Sequence, residues 1–267
     1  MPYADLHVHT TRSDGSLALS DVPAVARRAD VSVVAITDHD RIQPFNGPVI
    51  EREGVTIVHG IELRVETEAG QRIDLLGYGL EATDALTGEV ERIQRNRIER
   101  GRAIVENVES RLGIDLNLDV ETGFGRPHVA RAIDAHPDTE YDYEEAFDHL
   151  IGNDGPCFVP RDVCPFDAGR EILSEACSVV SLAHPLRYPD PERALELTAK
   201  LDAVEREYAY GGPVDLTPVD RAIERHDLLV TGGSDAHDDR LGLAGLSRDA
   251  YDALELPSPQ PSGHPLE

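Results

Sequence analysis

Val31-Ser32-Val33-Val34-Ala35-Ile36-Thr37-Asp38-His39-Asp40 is the stretch on which the fold turns. Its first six residues are β-branched or small and almost wholly apolar, which suits a strand buried on both faces. The sequence then switches at once to carboxylate and imidazole. The same order recurs on either side. Tyr3 to His9 reads as a strand ending in His7-Val8-His9, where a spacing of two puts both imidazoles on one face. Asp14 follows in the turn sequence Ser13-Asp14-Gly15. Val22 to Ala29 reads as a helix with Ser20 or Asp21 as cap and Pro23 in its first turn. Further on, Val55 to Val58 is a strand followed by Glu62, Ser178 to Ala183 a strand followed by His184, and Asp227 to Thr231 a strand followed by Asp235 and His237. Ligand-type side chains thus stand just past the C-terminal ends of five separate strands, where α/β barrels build their active sites. Leu63 to Glu68 and Arg72 to Tyr78, separated by Ala69-Gly70-Gln71, read as a hairpin. Pro191 to Lys200 and Pro218 to His226 read as helices, with a short strand at Ala203 to Glu205. The alternation implies a largely parallel α/β architecture.

Between these halves the character changes. Apolar residues at 90, 93, 98, 104, 105, 108 and 112, with charges between them, predict a long amphipathic helix from Val90 to Leu112. Asp142-Tyr143-Glu144-Glu145 resembles a capping box, so another helix is expected after it. The expected organisation is a discontinuous barrel, residues 1–88 and 165–256, with a mostly helical inserted domain at 89–164. The stretch 257–267 holds four prolines and is expected to be a flexible tail.

Composition narrows the partners. The chain has 267 residues, with 51 acids against 25 bases and a net charge of −26; the bases are 24 Arg and the single Lys200. With 40% hydrophobic residues a sizeable core is available, so the charge does not signal disorder. It argues against duplex nucleic acid, which is held by Lys and Arg neutralising phosphates. A surface so acidic repels itself in dilute buffer, and about 1 M salt screens it to a Debye length of roughly 3 Å. A salt-loving source is therefore expected. No apolar run approaches the roughly 18 residues of a membrane span, and Met1-Pro2-Tyr3-Ala4-Asp5 has no signal-peptide character. Cys157, Cys164 and Cys177 form no CxxC pair and imply no disulfide framework. The expected location is the cytoplasm.

Mixed imidazole and carboxylate donors suit Zn, Mn or Fe, and so many of them imply more than one ion. Paired ions in turn suit phosphate esters: they bridge phosphate oxygens, generate hydroxide at neutral pH and stabilise the leaving oxygen.

The motifs His7-Val-His-Thr-Thr-Arg-Ser-Asp-Gly-Ser16, Ile36-Thr-Asp-His-Asp40, Gly60-Ile-Glu-Leu63, Leu182-Ala-His-Pro185 and Gly233-Ser-Asp-Ala-His237, in that order, resemble the polymerase and histidinol phosphatase (PHP) family of metal phosphoesterases. The resemblance implies a distorted (β/α)₇ barrel with two or three divalent ions (Mn, Zn or Fe) at its C-terminal strand ends. It implies that His7 and His9 bind a first ion with Asp235, that Glu62 bridges ions, that Asp14, His39 and His237 hold an outer ion, and that His184 binds the remaining one. Glu62, Asp235 and His237 would be the catalytic residues. Many members have His in the segment that here reads Asp74-Leu-Leu-Gly-Tyr78; Asp74 can also bind metal, and the change leaves open whether two or three ions are held.

The inserted segment, with Gly125-Arg126-Pro127-His128-Val-Ala-Arg131 and Phe158-Val-Pro-Arg161, is similar to the branch that removes the 3′-phosphate of nucleoside 3′,5′-bisphosphates or trims short RNA from its 5′ end. Arg126 and His128 would grip a second phosphate near a helix start, with Arg161 and Arg187 as further substrate contacts. The expected function is hydrolysis of such a phosphate ester by a metal-activated hydroxide. The alternatives are another phosphomonoesterase, acting on AMP or histidinol phosphate, and a non-catalytic PHP module serving as a metal-binding scaffold. The oligomeric state stays open.

Overall fold

A computed structural model describes residues 1–121 and 124–261. In chain order its elements are β1 (Ala4–Val8), α1 (Val22–Arg28), β2 (Val33–Ile36), β3 (Val49–Arg52), β4 (Val55–Glu66), β5 (Arg72–Tyr78), α2 (Asp84–Leu112), α3 (Arg126–Ala135), α4 (Tyr143–Ala146), β6 (Cys164–Pro165), α5 (Phe166–Ala176), β7 (Val179–Leu182), α6 (Pro191–Glu196), β8 (Ala203–Tyr208), α7 (Thr217–His226), β9 (Leu229–Gly233), α8 (Arg248–Asp252) and β10 (Gln260–Pro261). They form two compact units, Met1–Gly88 with Cys164–Glu267, and Glu89–Val163.

In the first unit the strands run in the order β1-β2-β4-β5-β7-β8-β9. The sheet comes back on itself. Val8 bridges Ala236 just beyond β9, and the buried Asp5 carboxylate accepts the N–H groups of Ser234 and Gly242 at 2.9 and 2.8 Å. The result is a near-closed, distorted (β/α)₇ barrel of PHP type. The alternation within β2 shows why it holds together: Val33 and Ala35 join one buried apolar cluster, Val34 and Ile36 another. A strand with period-two side chains and apolar matter on both faces has no wet side.

The sheet is mixed rather than largely parallel, because β5 runs antiparallel to both β4 and β7. One strand also differs from expectation in extent. β4 does not stop at Val58; it pairs with β2 as far as His59 and with β5 from Gly60 onward. Gly60 makes this handover possible, since a Cβ there would stand 2.9 Å from Thr37 Cγ2 and 3.0 Å from the Gly77 carbonyl oxygen. Glu62 therefore lies inside a strand, not past the end of one. β3, which the sequence reading did not contain, joins β4 through Glu53 and Gly54, both at positive φ, as a two-residue hairpin loop requires.

The second unit packs α2, α3, α4 and a π-helical turn at Phe147–Ile151 around Ile104, Val108, Val129, Ile133 and Leu150. The Asp142 box forms, its carboxylate accepting from Glu145 N–H at 2.8 Å, but the α-helix lasts one turn before widening. Within the stretch expected to be a flexible tail, Gln260 and Pro261 pair with Ile50 and Glu51 of β3; positions 262–267 lie outside the described residues. None of the three cysteines forms a disulfide among the described residues. No helix among the described residues is long and apolar enough to cross a membrane.

Candidate metal centre

At one rim of the barrel, all nine expected donors come together. His7 sits in β1 and His9 just past it, with ring centroids 5.2 Å apart. His39 follows β2, His184 follows β7, and Asp235 and His237 follow β9, while Glu62 and Asp74 project from the paired β4 and β5. Glu62 is central. Its Oε2 is 3.5 Å from His7 Nε2, 3.4 Å from His9 Nε2 and 2.9 Å from His39 Nδ1, and its Oε1 is 3.1 Å from His184 Nε2. Asp235 Oδ1 lies 3.2 Å from His9 Nε2. Asp14, half exposed, closes the outer side, 3.5 Å from His237 Nε2 and 3.7 Å from His39 Nε2. All of these donors except the fully buried His7 and His9 line a cleft of about 500 Å³ together with Arg64, Arg72 and Arg187.

The donor set fits divalent ions. His7 Nε2, His9 Nε2 and Glu62 Oε2 are buried, face one another and have no hydrogen-bond partner among the described residues. Each such orphan costs about 1–3 kcal/mol if nothing satisfies it. Four overlapping groups of three or four donors, each within 4.8 Å, can be drawn through the nine residues. Imidazole and carboxylate are both donors suited to divalent ions.

A second layer holds the donors in place. Glu205 in β8 is fully buried; its Oε1 is 2.9 Å from His7 Nδ1, and its Oε2 accepts the His184 N–H at 2.7 Å. With Nδ1–H committed to Glu205, the Nε2 lone pair of His7 is left to the centre, as in many carboxylate–histidine–metal arrangements. Asp38 accepts from Thr10 N–H at 2.7 Å, Thr10 Oγ1 at 2.6 Å and Gln43 Nε2 at 2.7 Å, which ties the β1 and β2 loops together. Asp40, His184 and Asp235 adopt positive φ of 49°, 26° and 52°. Such backbone is strained for residues other than glycine and clusters at functional sites.

The electrostatics ask for cations. Burial alone pushes the Glu62 carboxyl up, but the neighbouring His39 and His7 outweigh it and hold it well below the usual range. Burial also opposes charge on His7, yet Glu205 and Glu62 raise its pKa well above the usual value. His237, hydrogen-bonded to Asp14, is pushed up to about 9. His9, dominated by burial, is lowered.

The expected substrate contacts fall in different places. Arg187 lines the cleft, where its Nη1 donates to Asp235 Oδ2 at 2.9 Å and to the Tyr208 hydroxyl at 2.7 Å. Arg126, His128 and Arg161 belong to the second unit. There Arg126 Nη1 donates to Ile151 O at 3.1 Å and Asn153 Oδ1 at 3.0 Å, and its guanidinium lies near the Phe147 and Phe158 rings. His128 Nδ1 accepts from Gly125 N–H at 3.1 Å, capping α3. Sequence reasoning missed Glu205, Tyr208 and Arg64. Glu205 carried one signal: a carboxylate directly after the buried pair Ala203-Val204.

No family model matches the chain. It is 29% identical over 248 residues to a phosphoribosyl 1,2-cyclic phosphate 1,2-diphosphodiesterase of Eggerthella lenta, covering 87% of this chain and 93% of that protein. A 5′-3′ exoribonuclease of Escherichia coli is 27% identical over 250 residues, covering 87% and 84%. A 3′,5′-nucleoside bisphosphate phosphatase of Chromobacterium violaceum is 25% identical over 261 residues, covering 89% and 88%. Two solved structures share the fold, each with a TM-score of 0.69 and 22% identity. One is described as a candidate metal-dependent phosphoesterase of Bifidobacterium adolescentis, with 94% of both chains covered. The other is described as an amidohydrolase of Chromobacterium violaceum, with 95% and 96% covered. In sequence, fold and donor set the chain resembles PHP-type, metal-dependent hydrolases that act on phosphoric ester bonds.

Proposed function

We propose that this hydrolase acts on a phosphate ester carried by a ribose, either the 3′-phosphate of a nucleoside 3′,5′-bisphosphate or the 5′ end of a short RNA. One observation carries the reading: imidazole atoms of His7 and His9 without hydrogen-bond partners among the described residues converge on Glu62, which lines the same cleft as Arg187. His7, His9, Glu62 and Asp235 would hold one divalent ion, and Asp14, His39 and His237 another, with Asp74 and His184 at the remaining corner. Ions of this kind supply Lewis acidity toward a phosphate and a source of hydroxide near neutral pH.

The chain's own groups do the positioning. Glu62 presents one oxygen to His7, His9 and His39 and the other to His184, so it joins the two halves of the donor set. Glu205 fixes the ring of His7. Arg187, braced by Asp235 and Tyr208 and half exposed, is suited to hold a phosphate oxygen with its remaining N–H groups. Glu62, Asp235 and His237 face both cleft and donors and are the proposed catalytic residues. In the reaction a water oxygen bonds to phosphorus, the phosphorus–oxygen bond to ribose breaks, and the sugar hydroxyl leaves with a proton. The net charge of −26 disfavours long nucleic acid and favours small nucleotides or chain ends.

The 29% identity to the cyclic-phosphate diesterase supports a second reading, in which a cyclic phosphodiester on ribose is opened. A panel with added Mn²⁺ separates them: a nucleoside 3′,5′-bisphosphate, AMP, histidinol phosphate, a short 5′-phosphorylated RNA and phosphoribosyl 1,2-cyclic phosphate. The bisphosphate or the RNA is expected to be cleaved fastest. Preference for the cyclic ester would favour the second reading, and equal rates on all five would sink both.

A further inference from the structure

The corner of the centre at Asp74 is built differently from the rest. Arg64 and Asp74 face each other across the antiparallel β4–β5 pair. The guanidinium closes on the carboxylate as a two-pronged fork, Nε to Oδ1 and Nη2 to Oδ2, each at 2.7 Å. Asp74 is buried, whereas Arg64 is 38% exposed at its side chain and lines the cleft. The same Oδ2 lies 3.8 Å from His184 Nε2, which is itself 3.1 Å from Glu62 Oε1. The Asp74 oxygen that faces His184 is thus already taken by an N–H of Arg64.

The contrast with the other side is chemical. His7 Nε2, His9 Nε2 and Glu62 Oε2 are buried without hydrogen-bond partners among the described residues, and a cation would satisfy all three. Both oxygens of Asp74 already have one. An arginine is always charged, and its planar fork matches a carboxylate, so the Asp74 charge is balanced without metal. That pairing also raises the pKa of Arg64 still further. An ion entering here would need a bond of about 2.0–2.2 Å to Oδ2, in competition with a guanidinium that grips both oxygens of the carboxylate.

We propose that Arg64 takes the place of a third ion: the protein holds two divalent ions, and the Asp74–His184 corner is filled by the Arg64 guanidinium. The inference rests on the metal-dependent reading given above but concerns this chain's own departure from a three-ion centre.

Bound Mn²⁺ per chain, counted by equilibrium dialysis and elemental analysis, tests it. The wild-type protein is expected to saturate at two ions. Arg64→Met strips Asp74 of its partner and is expected to saturate at three, while Arg64→Lys, which keeps a cation, stays at two. Circular dichroism checks that each variant folds, and the wild-type count remains decisive if Arg64→Met does not. Three ions in the wild type, or a folded Arg64→Met that stays at two, would overturn the proposal. A wild type that binds no ion would sink the metal-dependent reading itself, and this inference with it.

Discussion

Replacing Glu205 with Gln removes a charge that lies behind the centre yet orients two of its donors. Glu205 is fully buried and accepts from both sides, at 2.9 Å from His7 Nδ1 and 2.7 Å from the His184 N–H. Gln keeps the shape but offers an acceptor on one side only. If its NH₂ faces the His184 N–H, two donors confront each other. If it faces His7, the imidazole must switch tautomer, and Nε2 then carries the proton and loses the lone pair that points at Glu62 and Asp235. Either arrangement forfeits one charge-assisted hydrogen bond, about 1.5–3 kcal/mol. That corresponds to roughly 10–100-fold in metal affinity, the range found for partners that orient metal ligands. The assay is Mn²⁺ dissociation measured by competition with a chelator, on wild type and Glu205→Gln in parallel. Affinity within about twofold of wild type would refute the claim that Glu205 sets the ring of His7.

Three further outcomes are expected. His59 is buried, accepts the Gln43 N–H at 3.1 Å, and is lowered by burial from 6.5 to about 4. Between those values the unfolded chain takes up a proton that the folded chain refuses. Stability is therefore fully present above pH 6.5 and falls as pH drops toward 4, by about 3 kcal/mol in all. Urea midpoints of His59→Gln should lose that part of the pH slope, and an unchanged slope counts against the assignment. Gly233→Ala would drive a Cβ into the backbone and Cβ of His7; overpacking of this kind costs about 1–3 kcal/mol, so a thermal midpoint equal to wild type would contradict the close packing of β9 on β1. Finally, the net charge of −26 implies a thermal midpoint that rises between about 0.1 M and 1 M NaCl, as the Debye length falls from roughly 10 Å to 3 Å; a lower midpoint in salt would remove the halophilic reading.

How much the sequence revealed depended on which physical signal each element carried. β2 was legible because its apolar run ends abruptly in Asp38-His39-Asp40, and the structure buries all four of its residues. The convergence of the nine candidate donors was legible, since eight of them follow or sit in apolar strands and Asp14 stands in the turn sequence after β1. The register of the β4–β5 hairpin was not. Placing the loop at Ala69-Gly70-Gln71 sets Glu66 opposite Asp74, whereas the chain turns one residue earlier, with Thr67 N–H bonded to Gln71 O at 2.9 Å and Gly70 at φ +77°. A shift of one residue at the turn moves the pairing by two, and so brings Arg64 opposite Asp74. The continuity of β4 was hidden for another reason: His59-Gly60 looks like a break, but the glycine serves close packing rather than a turn. Glu205 stayed hidden because its role lies entirely in contacts with residues distant in the chain, His7 and His184.

The most direct test of the central claim is phosphate release from a nucleoside 3′,5′-bisphosphate by protein stripped with a chelator and then resupplied with Mn²⁺, with Glu62→Ala run beside wild type. Glu62 touches four of the histidine donors. Release is expected from the wild type only when metal is returned, and none from Glu62→Ala under the same conditions. Release that survives chelation, or that continues in Glu62→Ala at the wild-type rate, would contradict a metal-dependent phosphoesterase built on these residues.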